Sequence, residues 1–393
     1  MTRLAILGST GSIGRTTFAV LEGLRRQDGN AEWEVVALAA GRRVEDLIHQ
    51  ARAWSPGLVC VAASADARRA REELPGVEVL SGGRGLCELV ADGRVDVVVN
   101  GLVGAVGLAP TESALKAGKI VAMANKEPLV MAGGLLQEAA LAGGGELLPV
   151  DSEPSALWQC LRGEREEDVS RLILTASGGA FRDRSRSELA RVTAAEALHH
   201  PTWRMGPKIT VDSATLMNKG FEVIEAAWLF GVDVDRVEVV IHRESIVHSL
   251  VEFTDGSILA HLGRTDMSLP IQYALTYPVR KPGTLPRLDL ADVGALHFEA
   301  PDPDRVPGLS LCRDAARAGG TAPAALNAAN EVAVSAFLEG RLGFLDIHEL
   351  NLCVVDGWDP GPATDLETVL EADRLARARA VERLSPATAG TRR

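Results

Sequence analysis

Seven short apolar runs recur over the first 150 residues, with room for one helix between most neighbours: Arg3–Leu7, Glu34–Ala39, Leu58–Ala62, Val77–Leu80, Val95–Asn100, Lys119–Ala122 and Glu146–Val150. Runs nearly continuous in Val, Leu, Ile and Ala, without polar alternation, are buried on both faces, and strands separated by helical crossovers lie parallel. Residues 1–150 are therefore expected to form an α/β domain with a parallel sheet covered on both sides.

The rest of the chain carries different patterns. Alternating stretches at Val237–His242, Ile246–Phe253 and Ser257–Leu262, with Asp255-Gly256 as a hairpin turn, predict an α+β unit with an antiparallel sheet over 151–276. Prolines at 278, 282, 286, 301, 303 and 307 mark a linker, 277–310. Helical spacing then returns over 311–384, at Ala322–Glu339, Ile347–Trp358 and Leu366–Ala380, which suits a small helical bundle. The last segment, 385–393 (SPATAGTRR), reads as a disordered tail.

Charge narrows the partners. A net charge of −12 argues against nucleic acid or an anionic membrane, each of which wants a basic face. No apolar stretch approaches membrane-spanning length, and the run before Gly8 is too short for a signal-peptide core. The five cysteines are scattered and form no CxxC pair, as expected of a reducing, cytoplasmic compartment. Lysine occurs only at 116, 119, 126, 208, 219 and 281, which draws attention to Lys126, Lys208 and Lys219.

Gly8, Gly11 and Gly14 stand between the first strand and the first helix, in GSTGSIG. Such a turn lets the backbone approach a pyrophosphate whose charge the helix N-terminus stabilises, so a Rossmann-like dinucleotide site is expected. An NAD site wants an acidic residue at the end of the second strand. Here the strand runs into Gly41-Arg42-Arg43, and paired arginines suit a 2′-phosphate, hence NADPH. The same arginines also suit a solvated helix start.

Asp151 and Glu153 follow a strand, two residues apart, while Asn218, Lys219 and Glu222 share one face of a predicted helix. Three carboxylates without cysteine or paired histidines favour a hard cation, Mg²⁺ or Mn²⁺, with Co²⁺ a further option. The plainer alternative makes Asp151 and Glu153 helix caps and Glu222–Lys219 a solvated surface pair. Ser177-Gly178-Gly179 can cradle a phosphate with backbone N–H groups and a hydroxyl, or be a turn and nothing more. Trp203 and Met205, in the proline- and glycine-flanked run 199–208, suit an apolar lid over 177–207 or a packed loop.

Taken in order, GSTGSIG at 8–14, ANKE at 124–127, VDSE at 150–153, SGG at 177–179, HPTWRMG at 200–206, VDSATLMNKGFE at 211–222 and LNAANEVAV at 326–334 resemble the 1-deoxy-D-xylulose 5-phosphate reductoisomerase family. The resemblance spans nearly the whole chain. It implies a homodimer with an N-terminal NADPH domain, a central catalytic, metal-binding and dimerisation domain and a C-terminal helical bundle. By the same resemblance Thr10, Gly11, Ser12, Ile13, Gly41, Arg42, Arg43, Asn125, Glu127 and Gly206 contact NADPH, and Asp151, Glu153 and Glu222 ligate the metal. The phosphorylated sugar is met by Lys126, Ser152, Glu153, Ser177, His200, Ser213, Asn218, Lys219 and Glu222. Glu153 and Lys126 lead the catalytic set, with His200 and Lys219 beside them.

The implied reaction rearranges 1-deoxy-D-xylulose 5-phosphate and reduces the resulting aldehyde to 2-C-methyl-D-erythritol 4-phosphate, in the non-mevalonate isoprenoid pathway. Pro154, Arg204 and Arg243-Glu244 depart from the family's usual residues without removing a ligand or substrate contact. Two other functions fit parts of the pattern. A plain NADPH dehydrogenase has no use for three converging carboxylates, and a cofactor-binding regulator has no reason to keep the acid/base and metal set.

Overall fold

The computed structural model describes residues 1–28 and 32–384; the tail expected at 385–393 lies outside the described residues. The chain divides into two compact units, one of 1–128, 134–155 and 266–287 and the other of 129–133, 156–265 and 288–393.

The first unit holds a seven-stranded sheet in the order β4-β3-β2-β1-β5-β6-β7. Its strands are β1 (Thr2–Leu7), β2 (Trp33–Ala40), β3 (Leu58–Val61), β4 (Glu78–Ser81), β5 (Val97–Asn100), β6 (Ile120–Met123) and β7 (Glu146–Pro149). Every pairing is parallel, and the seven expected strands end within two residues of the observed ones. Leu4 to Leu7, Leu58 to Val61 and Val97 to Asn100 are buried along their whole runs, the physical reason that no polar alternation appears. The strand order reverses beside β1, which places the turn after β1 at the point where open parallel sheets bind ligands. Asp266–Arg287 belongs to this unit: its helix Ser268–Thr276 packs on the first helix, Ser12–Asp28, and Trp33 Nε1 donates to Leu275 O at 3.3 Å.

In the second unit β8 (Val169–Ala176), β9 (Val237–Ile241), β10 (Val247–Phe253) and β11 (Ile258–Leu262) form a sheet in the order β11-β10-β8-β9. The Asp255-Gly256 hairpin joins β10 to β11, antiparallel, as its turn residues predict. The sheet is not wholly antiparallel: β9 pairs with β8 in parallel. The chain between them, residues 177–236, includes the segment 177–206 and the helices Pro207–Ala214 and Met217–Phe230, a connection long enough to bring β9 back in the same direction. Helices Gly308–Ala318, Ala322–Leu338, Phe344–Val355 and Leu366–Leu384 follow, and the alanine-rich Ala322–Leu338 is their buried centre. Alanines 324, 325, 328, 329, 333 and 336 are all inaccessible there, which lets neighbouring backbones approach closely. Phe344 packs edge-on against Phe181 and Phe337, at 5.1 and 5.8 Å between ring centroids.

Candidate active site

In the first unit the glycine turn is built to an inflexible specification. A Cβ on Gly14 would lie 2.3 Å from Ser9 O, so only glycine lets the helix Ser12–Asp28 start this close to the strand end. Thr10 is buried, Gly11 N donates to Gly8 O at 2.8 Å, and Ser12 and Ile13 open the helix, whose free N–H groups face the turn. Gly41, Arg42 and Arg43 are exposed after β2; Arg43 lies 4.0 Å from Asp46. Asn125 is buried, its Nδ2 donating to Gly104 O at 3.1 Å, and Glu127 begins the helix Glu127–Gly143.

The same unit brings Lys126 to Asp151, Nζ to Oδ2 at 2.5 Å, with the lysine only 5% exposed. A buried ammonium needs such a partner, because desolvation alone would be costly. Asp151 Oδ1 also accepts from Ser152 N at 3.0 Å at the start of the helix Ser152–Cys160. The helix-start alternative for Asp151 thus holds in part, and it leaves the second oxygen facing Lys126. Ser152 Oγ donates to Glu153 Oε2 at 2.5 Å.

In the second unit Glu222 is fully buried and Lys219 nearly so, which rules out the solvated surface pair. Lys219 Nζ contacts Glu222 Oε2, and Asn218 Nδ2 donates to Oε1 at 2.5 Å, one helical turn away. The helix that carries them, Met217–Phe230, starts from Leu216, whose φ of +59° is in the left-handed region. A branched residue there costs about 1–3 kcal/mol and is retained only where the surroundings impose it.

The third cluster, in the same unit, is made of hydroxyls and an imidazole. His200 Nε2 lies 2.9 Å from Ser177 Oγ and 3.2 Å from Ser213 Oγ. Its Nδ1 accepts from Trp203 N at 2.9 Å and Thr202 N at 3.2 Å, so the proton of the neutral ring sits on Nε2 and is donated to a serine. Burial, helped by the charge of Arg182, lowers the His200 pKa to about 4, so the ring is neutral near pH 7. Gly179, at φ +72°, packs where a Cβ would meet Ala214 Cα at 2.6 Å, which fixes the serine-glycine turn against the Ser213 segment. Gly206 is the last residue before the helix Pro207–Ala214, and Trp203 lies 6.3 Å from His248 between ring centroids.

The chain matches known proteins over nearly its whole length. Residues 4–133 match the model of 1-deoxy-D-xylulose 5-phosphate reductoisomerase, 147–230 that of its C-terminal domain, and 262–379 that of the DXP reductoisomerase C-terminal domain. The 1-deoxy-D-xylulose 5-phosphate reductoisomerase of Heliobacterium modesticaldum is 50% identical over 387 residues, 97% of each chain. The chain belongs to the 1-deoxy-D-xylulose 5-phosphate reductoisomerase family. The Geobacillus kaustophilus member is 51% identical, over 96% of this chain and 98% of its own. A solved structure of DOX-P reductoisomerase in complex with NADPH, fosmidomycin and magnesium superposes with a TM-score of 0.92 at 40% identity, covering 98% of both chains. The reductoisomerase of Zymomonas mobilis in complex with NADPH gives 0.90 at 40%, covering 98% of this chain and 99% of its own.

Sequence patterning did not single out Arg182, and it marked Arg243 only as a departure from the family's usual residue; the two arginines brace the Ser177-Gly178-Gly179 turn. Arg182 Nη1 donates to Ser177 O at 3.1 Å and to Arg243 O at 3.2 Å; Arg243 in turn pairs with Asp183 at 2.5 Å and Glu299 at 2.9 Å. No local signal marks a role for Arg182 in an arginine-rich chain, and the bracing role of Arg243 shows only in its contacts with Arg182 and Asp183.

Proposed function

We propose that this chain converts 1-deoxy-D-xylulose 5-phosphate into 2-C-methyl-D-erythritol 4-phosphate, with NADPH and a divalent cation, in the making of isoprenoid precursors. The observation that carries the reading is the pair of buried lysine–carboxylate contacts, Lys126–Asp151 and Lys219–Glu222, the first joining two motifs of the family and the second within one.

The residues present suit both groups. A glycine turn that no Cβ can enter, followed by a helix N-terminus and two exposed arginines, suits a dinucleotide with a 2′-phosphate. Asp151, Glu153 and Glu222 are hard oxygen donors, fit for Mg²⁺ or Mn²⁺. Once bound, the cation would supply Lewis-acid stabilisation of oxyanion charge and the dinucleotide would supply hydride. The chain's own residues do the rest. Ser177, Ser213 and neutral His200 offer donors to the substrate phosphate without adding charge of their own. Asn218 and Lys219 complete the grip on the substrate, Ser152 holds Glu153, and Glu153 and Lys126 exchange protons as the carbon–carbon bond breaks and re-forms. The lid, 177–207, excludes water from the cleaved fragments. The active form is a homodimer, working in the cytoplasm.

Oxidation of NADPH on adding 1-deoxy-D-xylulose 5-phosphate tests the reading. Absorbance at the NADPH band should fall with Mg²⁺ present and stay constant once the cation is chelated; turnover that ignores chelation would refute the metal's part.

A further inference from the structure

Behind Ser213 runs a buried polar chain that none of the roles above uses. Asp212, 1% exposed, has its two carboxylate oxygens held separately: Lys208 Nζ lies 2.9 Å from Oδ2, and Asn330 Nδ2 donates to Oδ1 at 2.8 Å. Asn351 Nδ2 then donates to Asn330 Oδ1 at 3.0 Å. Both amides are completely inaccessible. The direction of the chain follows from the carboxylate: a flipped Asn330 would set carbonyl against carboxylate, and the amide of Asn351 must then donate in turn. Asp212 is therefore met by donors from the Pro207–Ala214 helix itself and from Ala322–Leu338, and Phe344–Val355 supplies the donor that holds Asn330.

Packing does not require this arrangement. Asn330 sits among the alanines of the most buried helix, and a wholly apolar set of similar volume at 212, 330 and 351 would fill the same space. What the chain of bonds does supply is a fixed position for the last turn of Pro207–Ala214. Ser213, whose Oγ faces His200, is the next residue after Asp212, and the left-handed Leu216 that starts the Asn218–Lys219–Glu222 helix comes three residues later. Thr215 Oγ1 adds a donor to Val211 O and Asp212 O, at 3.3 and 3.2 Å.

We infer that Asp212, Asn330 and Asn351 are positioning residues through which the C-terminal helices hold Ser213 in register with Ser177 and His200 for the substrate phosphate. The inference rests on the function proposed above. It predicts a particular kinetic signature, because a loosened Ser213 weakens phosphate binding while leaving the acid/base residues and the dinucleotide turn in place.

The test is steady-state kinetics on the full-length chain. Asn330→Ala should raise KM for 1-deoxy-D-xylulose 5-phosphate about tenfold, the effect of losing one charge-assisted hydrogen bond, with kcat lowered less than about threefold and KM for NADPH unchanged. The double variant Asp212→Asn with Asn330→Asp exchanges the two groups and keeps every donor matched. The amide now on the Pro207–Ala214 helix accepts from Lys208 and donates to the carboxylate now on Ala322–Leu338, so KM should be restored. An Asn330→Ala chain with a lower Tm but wild-type KM would overturn the inference, and so would equal losses in KM and kcat that the double variant leaves unrepaired. Should Asn330→Ala not fold, Asn351→Ala, one bond further out, should show the same split at about threefold. A wild type without turnover would sink the proposed function alone. Inorganic phosphate binding then decides the inference, weaker in Asn330→Ala if it is right and equal in both chains if it is wrong.

Discussion

A fully buried carboxylate needs either an opposite charge or a set of donors, and Glu222 has both, in Lys219 and Asn218. Glu222→Gln keeps the shape and removes the charge. It leaves the Lys219 ammonium buried against an amide, so the fold should survive with a loss of about 1–3 kcal/mol, read as a lower Tm. Metal affinity should fall on the order of 10–100-fold, as Mn²⁺ titration would report, and turnover should fall with it. Near-wild-type binding and turnover would remove Glu222 from the metal set. At the other site, Arg42 and Arg43 are exposed at the end of β2, where a 2′-phosphate can be reached. Replacing both with alanine should raise KM for NADPH by about 10–100-fold while KM for NADH barely moves. An equal loss with both cofactors would show that the arginines only hold the loop.

At the scale of elements, the segment 177–207, proposed as a lid, is where sequence and structure inform each other most. Its first turn is braced by Arg182 and Arg243, while Trp203, half-buried near His248, is held through its backbone N–H by His200. The His200 ring thus links Trp203 to the two serines, so a ligand bound at the serines is expected to displace the tryptophan. Substrate-analogue binding with metal should change tryptophan emission in the wild type and change it far less in Trp203→Phe. Equal responses in the two chains would show that Trp203 does not close over the site. The strands of the first unit were legible because burial on both faces leaves an unbroken apolar run, and the β10–β11 hairpin because Asp-Gly dictates its turn. The direction of β9 was not, since local period carries no record of which strand lies alongside. Nor was the return of Asp266–Arg287 to the first unit, which depends on contacts such as Trp33 with Leu275 across more than two hundred residues. Within the site, the motif residues could be picked out from spacing and resemblance. The Asp212–Asn330–Asn351 chain could not, because a buried asparagine in an alanine-rich helix looks like any other until its partner is seen.

For the whole molecule, the two units divide the candidate site residues. The first holds the glycine turn and the Lys126–Asp151 contact; the second holds the buried Glu222 and the hydroxyl–histidine cluster. A plain dehydrogenase would need the first set and a hydride acceptor, and nothing more. The reductoisomerase reading makes the second set indispensable, because the carbon skeleton must change before hydride arrives. The carbon connectivity of the product is therefore the most direct measurement. With ¹³C-labelled 1-deoxy-D-xylulose 5-phosphate, NADPH and Mg²⁺, the NMR spectrum should show the methyl group on a quaternary carbon, the branched skeleton of 2-C-methyl-D-erythritol 4-phosphate, formed in step with NADPH oxidation. A reduced product that keeps the straight chain of the substrate would contradict the account.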